Sequence, residues 1–576
     1  MIFKYSSKFL HLLVTIVVLI FAFITVRMMI DVFHKFKDNF QSGPNEFYSL
    51  EFENEFSNER YRQESFNGEK LVHLDLKGAP PKISYLLKFL TLVKDLGATG
   101  ILIEYEDMFP YQGELEEISA HNAYTLENIA QFLRTAESYN MTVIPLVQMY
   151  GHMEFVMKSE KFQDLREIPD IPEVICPSHE LTHTLLQEMI DQVMAVHTNA
   201  KYFHMGCDEV YSLGKCARCQ SKIKQLKWQK KNLYFHHVRQ VADYIVKKYP
   251  SVRPIIWADE VIKKNENFII QHGIPEVLDI MLWNYKTPKY TFPSNADMKS
   301  YIKLFKSVWI ASAFKGAKNV NQMVPDPLYH LKNNEGWMHV VMQWMDHINF
   351  KGIVLTGWQR FNHFTVLCEL LPVGIPSLAI SLQFLKNLND MNYDTVRHVL
   401  ECNDYVPVNQ AETKNTDFMN RLKCDFPGFD VYSSVLLFSK TLLEMEYELD
   451  FFKAVHFSFF NTAYNYTHPK EVKGHYIKLM YYNYELKNKE MKLRSSLTQV
   501  YDEHTVAEWI LTNVFPHQVR LGAVTKIIKS MVGKKSWPRR PLNQSEEYWR
   551  TFFSNVCGPN EYVGCNFIYF KAYDGR

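Results

Sequence analysis

The sequence predicts an α/β protein: a (β/α)8 TIM-type barrel, preceded by an N-terminal membrane-anchor helix and followed by a mainly helical C-terminal region. Three observations predict it. From Leu71 to about Leu385, eight short apolar runs rich in β-branched residues alternate with amphipathic helical stretches. Strands buried on both faces belong to parallel sheets, and eight such units fit a closed barrel. Residues 9–26 form an uncharged run, FLHLLVTIVVLIFAFITV, near the minimum for a bilayer-spanning helix. After residue 385 the apolar residues recur at helical spacing.

In chain order, residues 1–8 are a short tail. Residues 9–30 are a transmembrane signal-anchor, with Met28, Met29 and Ile30 extending the run past Arg27. No Ala-x-Ala pattern follows, which favours an uncleaved anchor over a signal peptide. Lys4 and Lys8 precede the run, and Arg27, Lys35 and Lys37 follow it, so the charge bias across it is weak. Residues 31–70 carry mixed charges and scattered Phe, the composition of a stem. The layout is that of a single-pass type II membrane protein with its body in the Golgi or ER lumen. The sequons at Asn140, Asn465 and Asn543 permit N-glycosylation there.

The barrel strands are expected at Leu71–Leu76, Gly100–Tyr105, Thr142–Met149, Tyr202–Gly206, Pro254–Ala258, Asp279–Trp283, Ser307–Ser312 and Gly352–Gly357. Helices are expected at Ile83–Leu96 and Leu126–Tyr139, the second opened by Thr125 as N-cap. A doubly wound open sheet is the alternative, but Lys77-Gly-Ala-Pro-Pro81 follows the first strand where that fold places a Gly-rich phosphate loop. The barrel occupies residues 71–385. Residues 386–576 form the helical domain, with helices at Asn415–Arg421, Val435–Leu449 and His475–Leu497.

Composition excludes some functions. With 64 Lys+Arg against 63 Asp+Glu, the chain lacks the basic excess of an electrostatic nucleic-acid binder. Nine cysteines in 576 residues exclude a disulfide-scaffold mini-protein, and the odd count leaves at least one thiol free or paired between chains. Cys402 with Cys424, and Cys557 with Cys565, are local couples able to pair. Cys216-Ala-Arg-Cys219, with Cys207 and His204 nearby, has a metal-ligand flavour. A second Cys-x-x-Cys is missing, so a disulfide or free thiols are expected and no metal is assigned.

A barrel places its chemistry just past the C-terminal ends of the strands. Those positions hold Asp75 and Lys77, Glu104 and Glu106, Gln148 and His152, Asp208 and Glu209, Trp257 and Asp259, Trp283 and Tyr285, Lys315, and Trp358 to Arg360. Trp faces pack on the C–H surfaces of sugar rings, and carboxylates bind hydroxyls and move protons. Asp208 and Glu209 are adjacent, so they converge only where the strand has ended.

His204-Met-Gly-Cys-Asp208-Glu209 has the form H-x-G-x-D-E and resembles the signature of glycoside hydrolase family 20, the exo-β-N-acetylhexosaminidases. His73-Leu-Asp75, Gln148, Gly151-His152, Glu154, Trp257, Trp283-Asn-Tyr285 and Trp358 match as well. The runs LDLKGAPP (74–81), SAFKGA (312–317) and TGWQR (356–360) resemble the shorter hexosaminidase D-like branch. The resemblance implies substrate-assisted retaining hydrolysis of terminal β-linked GlcNAc or GalNAc, with the substrate's own acetamide as nucleophile. Glu209 would be the general acid and later the base. Asp208 would orient the acetamide nitrogen, and Tyr285 would bond its oxygen. Trp257, Trp283 and Trp358 would wall the acetamide pocket. The Arg that many members use on the O3/O4 hydroxyls has no counterpart near strand one; His152, Asp75 or Arg360 is expected to take that role. Glu369 reads either as a ligand for O4 or O6 or as a helix-start carboxylate. No cofactor is implied. The expected partners are glycans and, through the anchor, the membrane; a homodimer is compatible with the sequence, and nucleic acid is not expected. The alternatives are a catalytically silent glycan-binding barrel and a soluble nucleocytoplasmic hexosaminidase.

Overall fold

The computed structural model describes residues 65–262, 266–287, 293–404, 422–542 and 547. Its strands are β1 (Glu69–Asp75), β2 (Gly100–Glu104), β3 (Thr142–Leu146), β4 (Arg166–Ile168), β5 (Ile171–Ile175), β6 (Tyr202–His204), β7 (Arg253–Trp257), β8 (Asp279–Trp283), β9 (Ser307–Lys315) and β10 (Asn349–Gly357). All but β4 and β5 close into one barrel, and each barrel strand pairs in parallel with its sequence neighbours, β10 returning to β1. The expected barrel is therefore present. Two strands are shorter than expected: β3 stops at Leu146 and β6 at His204, because the chain there leaves the ladder and turns toward the rim. The antiparallel hairpin β4–β5 was not expected. Its strands are short and interrupted by Pro169 and Pro172, so they carry no readable periodicity.

The main helices are α1 (Ile83–Leu96), α2 (Leu126–Ser138), α3 (Thr182–Val196), α4 (Ala217–Leu226), α5 (Lys230–Lys248), α6 (Pro327–Trp344) and α7 (Leu371–Lys386). α1 buries Leu86, Phe89, Leu90 and Val93 along one stripe and ends at Gly97 in the left-handed conformation (φ 99°). α2 starts where Thr125 accepts the Asn128 amide in a capping box. Inside the barrel, Leu71, Leu102, Ile144, Ile255, Met281 and Trp309 form a dry plug; each such side chain contributes about 1.5–3 kcal/mol by leaving water. The other strand faces pack against the helices.

Beyond the barrel come α8 (Phe429–Val455), α9 (Pro469–Val500), α10 (Glu503–Asn513) and α11 (Phe515–Met531). Two expected helices fall within α8 and α9. α8 packs on α7 and α9, and these helices share the core that surrounds the barrel. α10 reaches the barrel rim, where Glu508 grips Arg360 through both guanidinium nitrogens. Cys402 and Cys424 form a disulfide. The anchor and stem up to residue 64, the 415–421 helix, Asn543, and Cys557 with Cys565 lie outside the described residues. No helix among the described residues is long and apolar enough to cross a membrane.

Candidate active site

The Asp208–Glu209 pair is presented by an unusual backbone. After β6 the chain enters left-handed conformations at Gly206 (φ 64°), Cys207 (φ 69°) and Glu209 (φ 50°). For a non-glycine residue this costs about 1–3 kcal/mol, offset here by hydrogen bonds on every side. The Cys207 amide donates to Gln148 Oε1 (3.1 Å), Tyr234 Oη donates to the Cys207 carbonyl (2.8 Å), and the Glu209 amide donates to Asp259 Oδ2 (3.0 Å). A Cβ at Gly206 would stand 1.9 Å from Gln148 Oε1. The turn lets two neighbouring carboxylates face the same cavity.

His152 (φ 52°) comes from the loop after β3. Its Nε2 lies 3.2 Å from Glu209 Oε2 and 3.6 Å from Asp208 Oδ2. Gly151 permits this approach, since a Cβ there would be 2.2 Å from the Asp208 carbonyl oxygen. Burial opposes a charge on His152, but Asp208, Glu209 and Glu154 overcome it and raise the imidazole to about 10. An imidazolium therefore sits against both carboxylates at neutral pH. Burial raises Asp208, while His152 and the amide of Gln148, 3.0 Å from Oδ1, work against that rise. Tyr211 Oη donates to Glu209 Oε1 at 2.8 Å.

A second charged group lies at the ends of β1 and β2. Lys77 Nζ is 3.1 Å from Asp75 Oδ2 and from Glu104 Oε1, and 3.8 Å from Glu106 Oε1. Burial disfavours the ammonium, yet these carboxylates hold its pKa well above the usual lysine range. Glu104 would be raised by its burial, but Lys77 and His73 bring it down to about 2.

Aromatic side chains complete the site, the ring centre of Trp358 lying 5.0 Å from Lys77 Nζ. Trp257 and Trp358 have ring centres 6.0 Å apart, Trp283 stacks on Tyr285 at 5.4 Å and 24°, and Tyr285 meets Trp358 edge-on at 6.3 Å. The charged and aromatic groups together line a cavity of about 230 Å³.

Of the residues singled out in the sequence, Asp208, Glu209, His152, Trp257, Trp283, Tyr285, Trp358 and Arg360 line this cavity. Asp75 and Glu369 do not. Asp75 is spent on Lys77 and on the Gln359 amide, 2.8 Å from Oδ2. Glu369 is fully buried, accepts the Gly316 amide at 2.8 Å, and is pushed by burial to about 7. Asp75 is thus placed as a partner of Lys77, and Glu369 as a buried acceptor of the Gly316 amide. Arg360 faces the cavity, but its nitrogens donate to the carbonyls of Lys77 and Thr365 and to Glu508. Lys77, Glu104 and Gln148, expected at the strand ends but without an assigned role toward the sugar, line the cavity too. The sequence reading missed Tyr211, the loop Ala317–Val320 and Phe361, for which loop position offered no signal. Cys207 and His204 bond locally, to Met205 and Gly206. Cys216 and Cys219 meet Cys176 and Glu167 instead.

A carboxylate pair and a tryptophan-lined cavity at the C-terminal rim of a barrel are the equipment a glycoside hydrolase needs. Residues 103–358 match the family model described as "Glycosyl hydrolase family 20, catalytic domain". The chain is 44 % identical over 317 residues to Hexosaminidase D of Bos taurus, covering 55 % of this chain and 91 % of that one. It is 35 % identical over 476 residues to Hexosaminidase D of Homo sapiens, covering 82 % and 96 %. Among solved structures it is similar to the β-N-acetylhexosaminidase from Bacteroides fragilis NCTC 9343, with 16 % identity, a TM-score of 0.45, and coverage of 58 % of this chain and 69 % of that one. The chain belongs to glycoside hydrolase family 20 and is a β-N-acetylhexosaminidase of the hexosaminidase D-like branch.

Proposed function

We propose that this enzyme removes single terminal β-linked GlcNAc or GalNAc residues from glycans by substrate-assisted retaining catalysis. The observation that carries this reading is that the Asp208–Glu209 pair lines one cavity together with Trp257, Trp283, Tyr285 and Trp358. Glu209 protonates the departing glycosidic oxygen and later takes a proton from water. Asp208 accepts the acetamide N–H and offsets charge on the oxazolinium intermediate, while Tyr285 donates to the acetamide oxygen. The tryptophans hold the acetamide against the anomeric carbon, which supplies an effective-concentration gain. The remaining carboxylate lining the cavity, Glu104, is engaged by Lys77 and His73, which supports a nucleophile supplied by the substrate. The cavity is smaller than the roughly 300–1,000 Å³ of pockets for drug-sized ligands, a scale that suits one sugar ring. The reading is tested by inhibition with a GlcNAc-thiazoline mimic of the intermediate; binding no tighter than free GlcNAc would exclude substrate assistance. A silent glycan-binding barrel has no need of a proton donor and is set aside by turnover of any aryl β-N-acetylhexosaminide.

We also infer that the enzyme is a type II membrane protein with its catalytic body in the Golgi or ER lumen. The uncharged run at residues 9–26, the Cys402–Cys424 disulfide and the exposed Asn140 side chain support this, disulfides being rare in reducing compartments. Asn140 suffers no burial that would bar a glycan. Asn465 is half-buried.

A further inference from the structure

A cluster beside the active site has no part in the chemistry above. Glu167 lies in β4, Cys176 directly follows β5, and Cys216 and Cys219 open α4. Cys176 Sγ is 3.3 Å from Cys216 Sγ and 3.6 Å from Cys219 Sγ, and Cys219 Sγ is 3.2 Å from Glu167 Oε2. One ligand atom from each of the four lies within 4.8 Å of all the others.

We propose that Glu167, Cys176, Cys216 and Cys219 bind a structural zinc ion that ties the β4–β5 hairpin to the loop leaving the Asp208–Glu209 pair. A tetrahedral zinc with Zn–S bonds of about 2.3 Å has ligand–ligand edges of about 3.8 Å, close to the spacing of these atoms. Cys-x-x-Cys is a zinc-chelating spacing, and the Cys219 amide donates to Cys216 Sγ at 3.3 Å, a bond that stabilises a thiolate. Glu167 Oε1 is occupied by the amides of Lys215 and Cys216, which orients the carboxylate and turns Oε2 toward the thiols. Such outer bonds hold metal ligands in place. Leu213, Ile223, Trp228 and Leu233 wall the cluster with apolar surface. A buried carboxylate among thiols calls for a cation, and among the described residues Glu167 makes no ion pair with Lys or Arg. A disulfide would use two of the three cysteines, whereas a metal ion uses all three thiolates and the carboxylate that lie together. Thiolate ligands select zinc over calcium or magnesium, which take oxygen.

The ion would brace the mouth of the active site. Ile171, Pro172 and Glu173 of the hairpin and Tyr211 of the loop line a hollow shared with His152 and Glu209. The test is metal analysis of the purified full-length chain, with cobalt substitution as the second readout. About one zinc per chain is expected for the wild type, and less than about a tenth of that for Cys176→Ser or Cys219→Ser. The cobalt form of the wild type should show the ligand-field bands of a tetrahedral site and thiolate-to-cobalt charge transfer, a readout independent of whether the variants fold. Zinc-free protein with a mapped Cys176–Cys216 or Cys176–Cys219 disulfide would overturn the proposal. So would zinc retained undiminished in both variants, or iron found in its place.

Discussion

Replacing Glu209 by Gln removes a proton donor and little else. The amide has the shape of the carboxylate, and its oxygen still accepts Tyr211 Oη, 2.8 Å from Glu209 Oε1. The fold loses the charge-assisted bond from His152 at 3.2 Å. Bonds of this kind contribute roughly 1.5–3 kcal/mol, and with 28 % of the Glu209 side chain exposed solvent screening puts this one lower, at about 1 kcal/mol. His152 keeps Asp208 Oδ2 at 3.6 Å, so its charge is not stranded. A melting shift of no more than about 3 °C is expected. Catalysis should lose far more. A general acid is worth about 10²–10⁴-fold, or roughly 2.7–5.4 kcal/mol at 1.36 kcal/mol per decade. That full loss applies to a natural glycan, whose alkoxide cannot leave unprotonated. A 2,4-dinitrophenyl β-GlcNAc substrate needs no proton on its leaving group and should lose about tenfold or less. The assay is kcat/KM on both substrates, which reports glycoside cleavage and is not confused by the later role of Glu209 as base. Equal losses on the two substrates, or near-normal turnover of the glycan, would refute Glu209 as the acid.

Asp208→Asn and Tyr285→Phe should each weaken the thiazoline mimic by about tenfold or more; unchanged inhibition constants would remove both from the acetamide. Glu369→Gln should flatten the pH dependence of stability. Glu369 is raised from 4.5 to about 7 in the fold, so the folded state holds more protons than the unfolded state between those values. Its contribution is complete below about pH 4.5 and is lost as pH rises through about 7, on the order of 3 kcal/mol. Denaturant titrations at about pH 5 and pH 8 check this, and an unchanged slope in the Gln variant would contradict it. Glu508→Ala should destabilise by about 1.5–3 kcal/mol by stripping the carboxylate from buried Arg360; a double-mutant cycle with Arg360→Met that is purely additive would show that the pair is not coupled. If the N-terminal run is a retained anchor and the body is lumenal, alkaline carbonate should leave the full-length protein in membranes and glycosidase should shift its mobility. A protein that washes off and carries no glycan would revive the soluble nucleocytoplasmic reading and leave the barrel chemistry untouched.

The barrel was legible because its strands are continuous β-branched runs buried on both faces, a pattern few other folds require. The site was legible as far as strand ends could be located, which brought Asp208, Glu209, Tyr285 and the three tryptophans to one rim. Asp75 and Glu369 show the limit of that method. Neither lines the cavity: Asp75 pairs with Lys77, and Glu369 is buried and accepts the Gly316 amide. The zinc-type cluster shows the opposite limit. Cys216 and Cys219 were visible as a pair, but their partners lie about forty to fifty residues upstream on a hairpin whose strands are too short and proline-broken to read.

By itself, the sequence determined the barrel and placed Asp208 and Glu209 at the end of one of its strands, because these depend on periodicity; the reaction class came from the resemblance of His204–Glu209 and its companion motifs to glycoside hydrolase family 20. Tertiary structure alone decided which charged groups meet. His152 becomes an imidazolium because Asp208 and Glu209 converge on it, Lys77 stays charged in the interior because Asp75 and Glu104 surround it, and Arg360 is fixed at the cavity rim because a C-terminal helix brings Glu508 to it. Electrostatic energy depends on distances of a few ångströms between residues far apart along the chain, and only the closed barrel sets those distances.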